Sequence, residues 1–264
     1  MSNRFLAILS SLALASVTAA CATEDDLADN GDLTSIEENS WGDLSSRPSV
    51  ELWKSPDGKF RFHLLEKSQE IVFTSQGYSS RTSALNGLLS VLDNGKLAAR
   101  YSVQTAADGG SYFNLLAANK AVIATSEVFA TAAEAQAEVT KALNNVTAYQ
   151  KAWDTAAGAR FAVKQDSAGQ FYFNLHARNG AVQLTSQKYS TKAAALNGAF
   201  STAENGLSKP RYVVLSTQSG SGYYYNLTAT NGQVIATSEV YATKASAERG
   251  RDSVIALLPV VPLL

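Results

Sequence analysis

The sequence predicts an α+β protein built from four copies of one unit. A run of an aromatic residue, a polar residue and a leucine occurs four times, and a Thr-Ser pair follows each run at constant spacing. A helical segment then follows each pair. The runs begin at Phe62, Phe113, Phe173 and Tyr225, and the pairs begin at Thr74, Thr125, Thr185 and Thr237. Successive copies are offset by 51, 60 and 52 residues, which indicates internal duplication.

Each unit is predicted to contain strands joined by tight turns. A Gly-containing turn such as Asp108-Gly109 precedes the aromatic-rich strand, and Asn179-Gly180 or Asn231-Gly232 follows it as a typical hairpin signal. A third strand, such as residues 122–126, leads to an aromatic residue three positions past the Ser. These aromatic residues are Tyr78, Phe129, Tyr189 and Tyr241.

A helix is predicted after each of these aromatic residues, for example over 132–143 and 193–203. The expected N-caps are Ser80, Thr131, Thr191 and Thr243, and Thr131 with Glu134 forms a capping box. Gly87, Gly198 and Gly250 recur inside the helices. Because glycine costs about 1 kcal/mol in a helix, we expect each of them to allow a close approach of helix to sheet.

The repeated unit resembles the YegP-like family of small bacterial proteins of unknown function. The matching segments include 113–115, 117–119 and 241–243. The resemblance covers 49–147 and 159–257, about three quarters of the chain. It implies four β3-α-β repeats that form two pseudo-dimeric sheets with helices on one face, and the paired repeats exchange their last strands.

This sequence departs from the family pattern at three places, and the family supplies no catalytic or binding residues to transfer. Ser68-Gln69 and Asn119-Lys120 replace Asn-Gly, and Glu138 replaces the helix glycine. These departures bear on turn geometry and not on the fold. The remaining predicted segments are a signal peptide (1–20), an acidic tether (21–48), a linker (148–158) and an apolar tail (258–264).

The N-terminal segment has the layout of a secretory signal peptide. Arg4 precedes an apolar run of 13 residues over 5–17, and small residues follow it. A membrane span needs roughly 20 residues. The position of Cys21 resembles a bacterial lipoprotein signal, in which this residue would carry lipid such as palmitate and form the anchor. Ala22 then suggests the outer membrane of the cell envelope; the alternative is an ordinary signal and a secreted soluble protein.

Charge is divided unevenly along the chain. Residues 22–47 contain eight acidic residues and Arg47 as their one basic residue. Residues 48–264 contain 20 basic and 15 acidic residues, which gives a net charge of +5. The near-neutral total therefore combines an acidic tether with a basic body.

The composition excludes several kinds of site. Cys21 is the single cysteine, so disulfide frameworks and thiolate metal sites are excluded. The sequence has no metal-ligand motif and no phosphate-binding loop, so we expect no metal and no cofactor. Basic residues are not clustered along any element, and an exported chain rarely meets nucleic acid, so no nucleic-acid partner is expected.

Strand alternation predicts a candidate ligand surface. Phe62 and Leu64 would face the helices in the first copy, whereas the intervening positions face away. In the other copies these positions hold Tyr112, Tyr172, Tyr224, Asn114, Asn174 and Asn226, and the first copy has Arg61 and His63 there. Such a stripe suits sugars, peptides or extended polymers. Alternatively, the Asn side chains satisfy turn backbone and the Tyr rings cover an open sheet.

No catalytic residue is expected. A hydroxyl nucleophile needs a base, and His63 and His176 do not recur between the copies. The repeated Ser is interpreted as a small residue that lets the helix pack. We therefore expect a non-catalytic binding or structural module that is held at the membrane by its N-terminal lipid and has a polymer or protein partner. The alternatives are a scaffold that self-associates through sheet edges and, less favoured, a hydrolase.

Overall fold

The computed structural model describes residues 48–263, whose strands form two six-stranded antiparallel sheets. The strands of the first sheet are β1 (Ser49–Lys54), β2 (Phe60–Leu65), β3 (Ile71–Ser75), β4 (Tyr101–Thr105), β5 (Ser111–Leu116) and β6 (Val122–Thr125). The strands of the second are β7 (Arg160–Gln165), β8 (Phe171–His176), β9 (Val182–Ser186), β10 (Tyr212–Ser216), β11 (Tyr223–Thr228) and β12 (Val234–Thr237). The spatial orders are β1-β2-β3-β6-β5-β4 and β10-β11-β12-β9-β8-β7.

Four α-helices pack on the sheets, two on each. They are α1 (Arg81–Asn94), α2 (Ala132–Asp154), α3 (Lys192–Asn205) and α4 (Lys244–Leu257). In the first sheet, α1 and α2 cover the face that carries the fully buried Phe62 and Leu64 of β2 and Phe113 and Leu115 of β5. The predicted α+β fold of four repeats in two sheets is confirmed.

Each sheet has six strands, whereas two complete β3-α-β units would supply eight. The strand that follows α1 is β4, and β4 also opens the second repeat. It crosses to the far edge of the sheet and pairs with β5. The strand β10 does the same after α3. Within each pair, one strand crosses to the far edge after the first helix. Among residues 48–263, no strand returns after the second helix, so the expected exchange is not reciprocal.

The repeated Ser bridges two parts of the backbone. In every repeat its hydroxyl accepts a hydrogen bond of 2.9 Å from the N–H of the central aromatic residue of the middle strand, such as Phe62 N–H to Ser75. The same hydroxyl donates to the next carbonyl, as Ser75 does to Gln76 over 2.9 Å. The Ser therefore has a role that the sequence analysis did not predict, because its hydroxyl replaces a strand partner.

The aromatic residue beyond the Ser returns to the same middle strand. The N–H and carbonyl groups of Tyr78 and Phe60 exchange hydrogen bonds of 2.8 Å, and the other three repeats form the same bridge. The Tyr78 ring then lies against the helix, where a Cβ at Gly87 would overlap its hydroxyl. The helix glycines therefore have the expected role, with Tyr as their specific neighbour.

The second repeat lacks both the Tyr hydroxyl and the helix glycine that contacts it. Its aromatic residue is Phe129, which has no hydroxyl, and its helix carries Glu138 where the other helices carry glycine. The loss of the glycine and the loss of the hydroxyl occur together. This pairing accounts for the departure from the family pattern at Glu138.

The predicted helix starts are confirmed. Ser80, Thr131, Thr191 and Thr243 each accept a hydrogen bond from a backbone N–H three residues on. Thr131 and Glu134 form the reciprocal capping box.

The turns at the two departures keep the geometry of the Asn-Gly turns. Gln69 and Lys120 have φ values of 68° and 67°, in the left-handed region that Gly180 and Gly232 occupy without a Cβ. The carbonyl of Ala117 accepts a 2.9 Å hydrogen bond from Lys120 N–H. The Ala177 carbonyl accepts the equivalent bond from Gly180 N–H. Turn chemistry is therefore preserved at a local conformational cost.

Two boundaries differ from the prediction. The helix α2 continues to Asp154 and buries Tyr149 in the first core, so most of the predicted linker 148–158 belongs to the first pair of repeats. The helix continues because its apolar stripe still finds sheet to cover. The tail after 257 forms a short 3₁₀ helix, and Leu258 and Val261 are buried in the second core.

A third apolar cluster joins the two pairs. The helices α1 and α3 pack against each other through Leu85, Ala193 and Leu196. Arg81, at the start of α1, pairs with Glu204 near the end of α3 at 2.6 Å. Residues 48–263 therefore belong to one compact unit with two sheets and a seam of helices between them.

The contact between Tyr78 and Gly87 gives a stability prediction. Gly87→Ala should lower the free energy of unfolding by about 1–3 kcal/mol, because the new methyl group overlaps the Tyr78 hydroxyl. In a Tyr78→Phe background the same substitution should cost less, since the hydroxyl is gone, and the remaining cost reflects the ring carbon Cζ, which the added Cβ would also overlap. Urea denaturation of the four proteins of this cycle measures the coupling.

Glu138→Ala is the matched control, because Phe129 presents no hydroxyl to α2 at this position. It should change the unfolding free energy little. Equal costs of Gly87→Ala in the parent and Tyr78→Phe backgrounds would contradict the role given to the hydroxyl.

Candidate functional site

Each sheet has an outer face on the side opposite the helices. The structure places Tyr112 and Asn114 of β5 on this face of the first sheet, alternating with the buried Phe113 and Leu115. Tyr172, Tyr224, Asn174 and Asn226 occupy the equivalent face of the second sheet. The three Tyr side chains are half-buried. The predicted stripe therefore lies where alternation puts it, divided between two sheets.

A row of four polar side chains crosses the outer face of the first sheet. We name His63, Thr74, Thr125 and Asn114 the first row; their register joins β2, β3, β6 and β5. His63 Nδ1 lies 3.0 Å from Thr74 Oγ1. Thr125 donates to Asn114 Oδ1 over 2.8 Å. The first Thr of each repeated Thr-Ser pair thus fixes a polar side chain on the neighbouring strand.

The second row consists of Asn226, Thr237, Thr185 and Asn174, on β11, β12, β9 and β8. Thr237 donates to Asn226 Oδ1 over 2.8 Å, which repeats the bond of the first row. Asn174 is different. Its side chain is 7% exposed, and its Oδ1 has no hydrogen-bond partner among the described residues.

The rows show which groups the Asn side chains of the middle strands bind. Asn114 and Asn226 bind a Thr hydroxyl across the sheet and do not satisfy turn backbone. That task falls to the Asn residues of the hairpin turns, such as Asn119 and Asn179, whose Oδ1 atoms accept from backbone N–H groups. Because Oδ1 is engaged in the row, the amide Nδ2 groups of Asn114 and Asn226 remain as donors.

Aromatic rings flank the rows. Trp53 of β1 stacks on His63, with 4.1 Å between ring centroids and 27° between planes. In the second sheet the ammonium group of Lys188 lies 3.7 Å from the centroid of the Tyr172 ring. Sequence reasoning missed Trp53; extending the alternation to β1, where Trp53 is opposite Arg61, could have found it.

Arg61 takes the place of Tyr in the first repeat, and it is held by its own hairpin. Its guanidinium group binds the Asp57 carboxylate with bonds of 2.9 and 2.8 Å and also contacts the Ser55 hydroxyl. This pairing holds the pKa of Asp57 well below its usual range. Arg61 is therefore held within its own hairpin. The aromatic residues of this outer face are Trp53 and Tyr112.

Partial burial lowers the pKa of the His63 imidazole, and the Glu51 carboxylate on β1 opposes this shift. Both groups lie on the outer face, with Glu51 opposite His63 in the register. The neutral form of His63 is therefore favoured at neutral pH. It can then exchange a hydrogen bond with Thr74 and stack on Trp53 without a desolvated charge.

His176 lies beside the second row. Its Nδ1 is 2.8 Å from the Gly180 carbonyl, which can only accept, so Nδ1 donates this hydrogen bond. Its Nε2 is buried without a hydrogen-bond partner among the described residues. Asn174 Oδ1 is buried in the same way, so both atoms are polar groups enclosed beneath the outer face.

The hydroxyl groups of the repeated Ser residues are fully engaged by backbone. Each accepts one hydrogen bond and donates its proton to the next carbonyl, as Ser186 does to Gln187 over 2.7 Å. A nucleophile of the serine type instead donates to a base. The bonds recorded for His63 and His176 go to Thr74 and to the Gly180 carbonyl.

Within residues 48–263, no three His, Cys, Asp or Glu side chains are grouped so that they could hold a metal ion. No helix in the same range is long and apolar enough to cross a bilayer. Cys21, the predicted signal peptide and the predicted acidic tether up to residue 47 lie outside the described residues.

Comparison with known proteins identifies the repeats. The model of a domain of unknown function, DUF1508, matches residues 55–102, 106–148, 166–212 and 219–260, more than half of the chain. The UPF0339 protein PA0329 of Pseudomonas aeruginosa is 43% identical over 96 residues, covering 36% of this chain and 86% of that protein. The UPF0339 protein YegP of Escherichia coli K12 is 46% identical over 82 residues, covering 31% and 74%.

A solved structure is also similar. The solution NMR structure of yegP from E. coli, a protein of unknown function, matches with 40% identity and a TM-score of 0.37, covering 38% of this chain and 87% of that one. The family model and the two UPF0339 relatives confirm the predicted YegP-like resemblance.

The environment of His63 gives a titration prediction. Its pKa should lie below the ordinary value of about 6.5, because burial disfavours the imidazolium ion. As the pH falls through this value, the unfolded chain takes up a proton before the folded chain does, so His63 should lower stability in acid. NMR titration of the imidazole C2 proton measures the pKa, with His176→Asn assigning the two signals.

Glu51→Gln should lower the pKa of His63 further, since the carboxylate favours the charged ring. A pKa at or above the ordinary value, or no response to Glu51→Gln, would contradict this description.

Proposed function

This chain belongs to the DUF1508 family, whose description assigns no activity, and we propose that it is a non-catalytic binding module of the cell envelope. It binds an extended polysaccharide along the outer faces of its two sheets. The observation that carries the proposal is the pair of rows, in which ordered hydroxyl and amide groups cross each sheet between aromatic rings.

The spacing of the rows suits a polymer. Neighbouring strands are about 4.8 Å apart, so a row over four strands is roughly 14 Å long and offers a polar group at each step. Asn114 and Asn226 keep free amide donors, because Thr125 and Thr237 occupy their Oδ1 atoms. Each bond orients the amide before a ligand arrives, which reduces the entropy lost on binding.

The aromatic flanks supply apolar contact for the sugar rings. Trp53 and Tyr112 lie on the first outer face, and Tyr172 and Tyr224 lie on the second. A half-buried ring offers one flat surface to a sugar while its other side is held by the sheet. These aromatic residues supply contact area, and the hydrogen-bonding groups of the rows orient the polymer.

Charge favours an acidic polymer. The body from residue 48 onward has a net charge of +5. Peptidoglycan is an envelope polysaccharide whose peptide stems carry carboxylates, so a basic body raises its local concentration. We therefore propose peptidoglycan as the polymer.

The binding role is proposed as non-catalytic because the hydroxyl groups that recur are committed elsewhere. Each repeated Ser proton is donated to a backbone carbonyl. The row Thr125 and Thr237 donate to amide oxygens. In each case the proton is held by an acceptor that is a poor base.

We also propose that Cys21 is acylated and holds the protein at the outer membrane. Lipid contributes roughly 0.8 kcal/mol per buried CH₂, so two or more chains anchor firmly. The residues 22–47 can span at most roughly 90 Å. Their eight acidic residues are repelled by anionic headgroups, which favours a body held away from the membrane and towards the polymer.

The polymer proposal is tested by co-sedimentation of the mature chain with purified peptidoglycan sacculi. Combining Tyr112→Ala, Tyr172→Ala and Tyr224→Ala should weaken binding at least tenfold, because the flat contact surfaces are lost from both faces. Combining Asn114→Ala and Asn226→Ala should weaken it further.

The matched control combines Gln136→Ala, Asn144→Ala and Thr147→Ala, exposed positions of α2. It should bind like the parent protein. Unchanged binding of the Tyr variant, with circular dichroism showing an intact fold, would rule out the outer faces as the site.

The anchor is tested by labelling growing cells with radioactive palmitate. The wild-type protein should take up label and fractionate with outer membrane, whereas Cys21→Ser should lose both properties. Labelling that survives Cys21→Ser, or an unlabelled wild-type protein secreted into the medium, would remove the anchor from the proposal.

A further inference from the structure

The two sheets have four edge strands, and two of them adjoin the seam between the pairs. Leu52 of β1 and Val163 of β7 pack against the apolar cluster that joins α1 and α3. Both strands also carry charged residues, which discourage pairing with another chain. The edges that remain are β4 and β10, which are equivalent in the two pairs.

The two equivalent edges have opposite character on the outer face. In β4 the outward residues are Ser102 and Gln104, tied together by a 2.7 Å hydrogen bond from the Gln amide. In β10 the same register positions hold Val213, which is 47% exposed, and Leu215. The strand β10 contains no charged residue over its whole length. It therefore lacks the charged residues that β1 and β7 carry, and its outward side chains are apolar where those of β4 are polar.

The hydrogen-bond pattern shows which backbone groups of β10 point outwards. The N–H groups of Tyr223 and Tyr225 bond to the Tyr241 carbonyl and the Ser238 hydroxyl, on the side away from β10. Their register partners Ser216 and Val214 therefore direct their own groups away from β11. By the same alternation the Tyr212 carbonyl also points outwards, whereas its N–H already donates to the Lys209 carbonyl.

We propose that β10 is a dimerisation edge, where it pairs antiparallel with β10 of a second copy of this chain. A twofold axis at Val214 places Tyr212 opposite the partner's Ser216 and Val214 opposite the partner's Val214. The outward groups of Val214, the Ser216 N–H and the Tyr212 carbonyl then find partners across the axis. The same axis places Val213 opposite the partner's Leu215, so the outer-face side chains form apolar pairs.

The occupant is a second copy because the strand is complementary to itself. The register that satisfies the outward backbone groups is also the one that joins the two exposed apolar residues. No charge is brought opposite a like charge, because Tyr212–Ser216 carries none. The same operation on β4 would join Ser102 to the partner's Gln104, which leaves no apolar surface to bury.

The dimer would extend the proposed binding surface without depending on it. Two second sheets become one twelve-stranded sheet, and the Tyr224 side chains of both copies lie on one continuous outer face. Two weak contacts with one polymer then act together through their high effective concentration. Association is measured here without polymer, so failure of the edge and failure of the binding role are distinguishable.

The test is sedimentation velocity over a range of concentrations, on the full chain with Cys21→Ser in a non-ionic detergent. The parent protein should be a dimer. Val213→Lys should weaken association at least tenfold, because it places an ammonium group opposite the partner's Leu215. Its control is Ser102→Lys, the equivalent change on β4, which should leave the dimer intact. All the proteins compared have the same residues 1–47, including Cys21→Ser, so differences between them arise in the body.

A second pair of variants acts on the backbone. Val214→Pro removes an outward N–H and should give a monomer, whereas Val103→Pro on β4 should not. If Val214→Pro does not fold, as judged by circular dichroism, Val213→Lys decides alone. A monomeric parent, a dimer that survives Val213→Lys, or equal loss with Ser102→Lys would each overturn the β10 assignment.

Discussion

The hydroxyl group of the repeated Ser is the interaction on which each unit depends. By accepting from the middle strand and donating to its following carbonyl, as Ser75 does with Phe62 and Gln76, it replaces a strand partner. The chain can leave the sheet there without an unsatisfied backbone group. It then returns as an aromatic residue against the helix. That aromatic residue determines how closely the helix packs. Three repeats accommodate a Tyr hydroxyl with a helix glycine, and the second repeat has Phe129, without a hydroxyl, beside a helix that carries Glu138.

The four copies share the Ser hydrogen bonds and the helix caps, but they differ in their surface residues. The four Ser bonds have the same length, and all four N-caps are used. The outer faces differ: His63 stacks on Trp53 in one sheet, whereas Asn174 Oδ1 has no hydrogen-bond partner among the described residues of the other. The free edges differ as well, polar at Gln104 and apolar at Val213. The copies therefore differ on their outer faces and free edges and agree in the bonds that hold each unit together.

Local signals accounted for most of the fold. Thr131 with Glu134 predicted a helix start, and the constant spacing from Phe113 to Thr125 and in the other copies predicted a repeated unit. Alternation along β5 placed Tyr112 and Asn114 correctly. Prediction failed where a residue acts across distance in the chain. The Ser hydroxyl resembles a packing residue until the middle strand lies beside it, and Trp53 becomes part of the outer face only when β1 pairs with β2.

The sequence by itself determined that four equivalent units exist, how each is ordered and which side chains alternate, because these follow from periods of a few residues and from capping chemistry. Only the tertiary structure decided that Thr125 orients Asn114 and stands beside Thr74, since that row needs repeats 51 residues apart to pair at β3 and β6. It also decided which edges adjoin the α1–α3 seam and which remain free. These relations arise from the order of strands in space, which no local pattern in the sequence encodes.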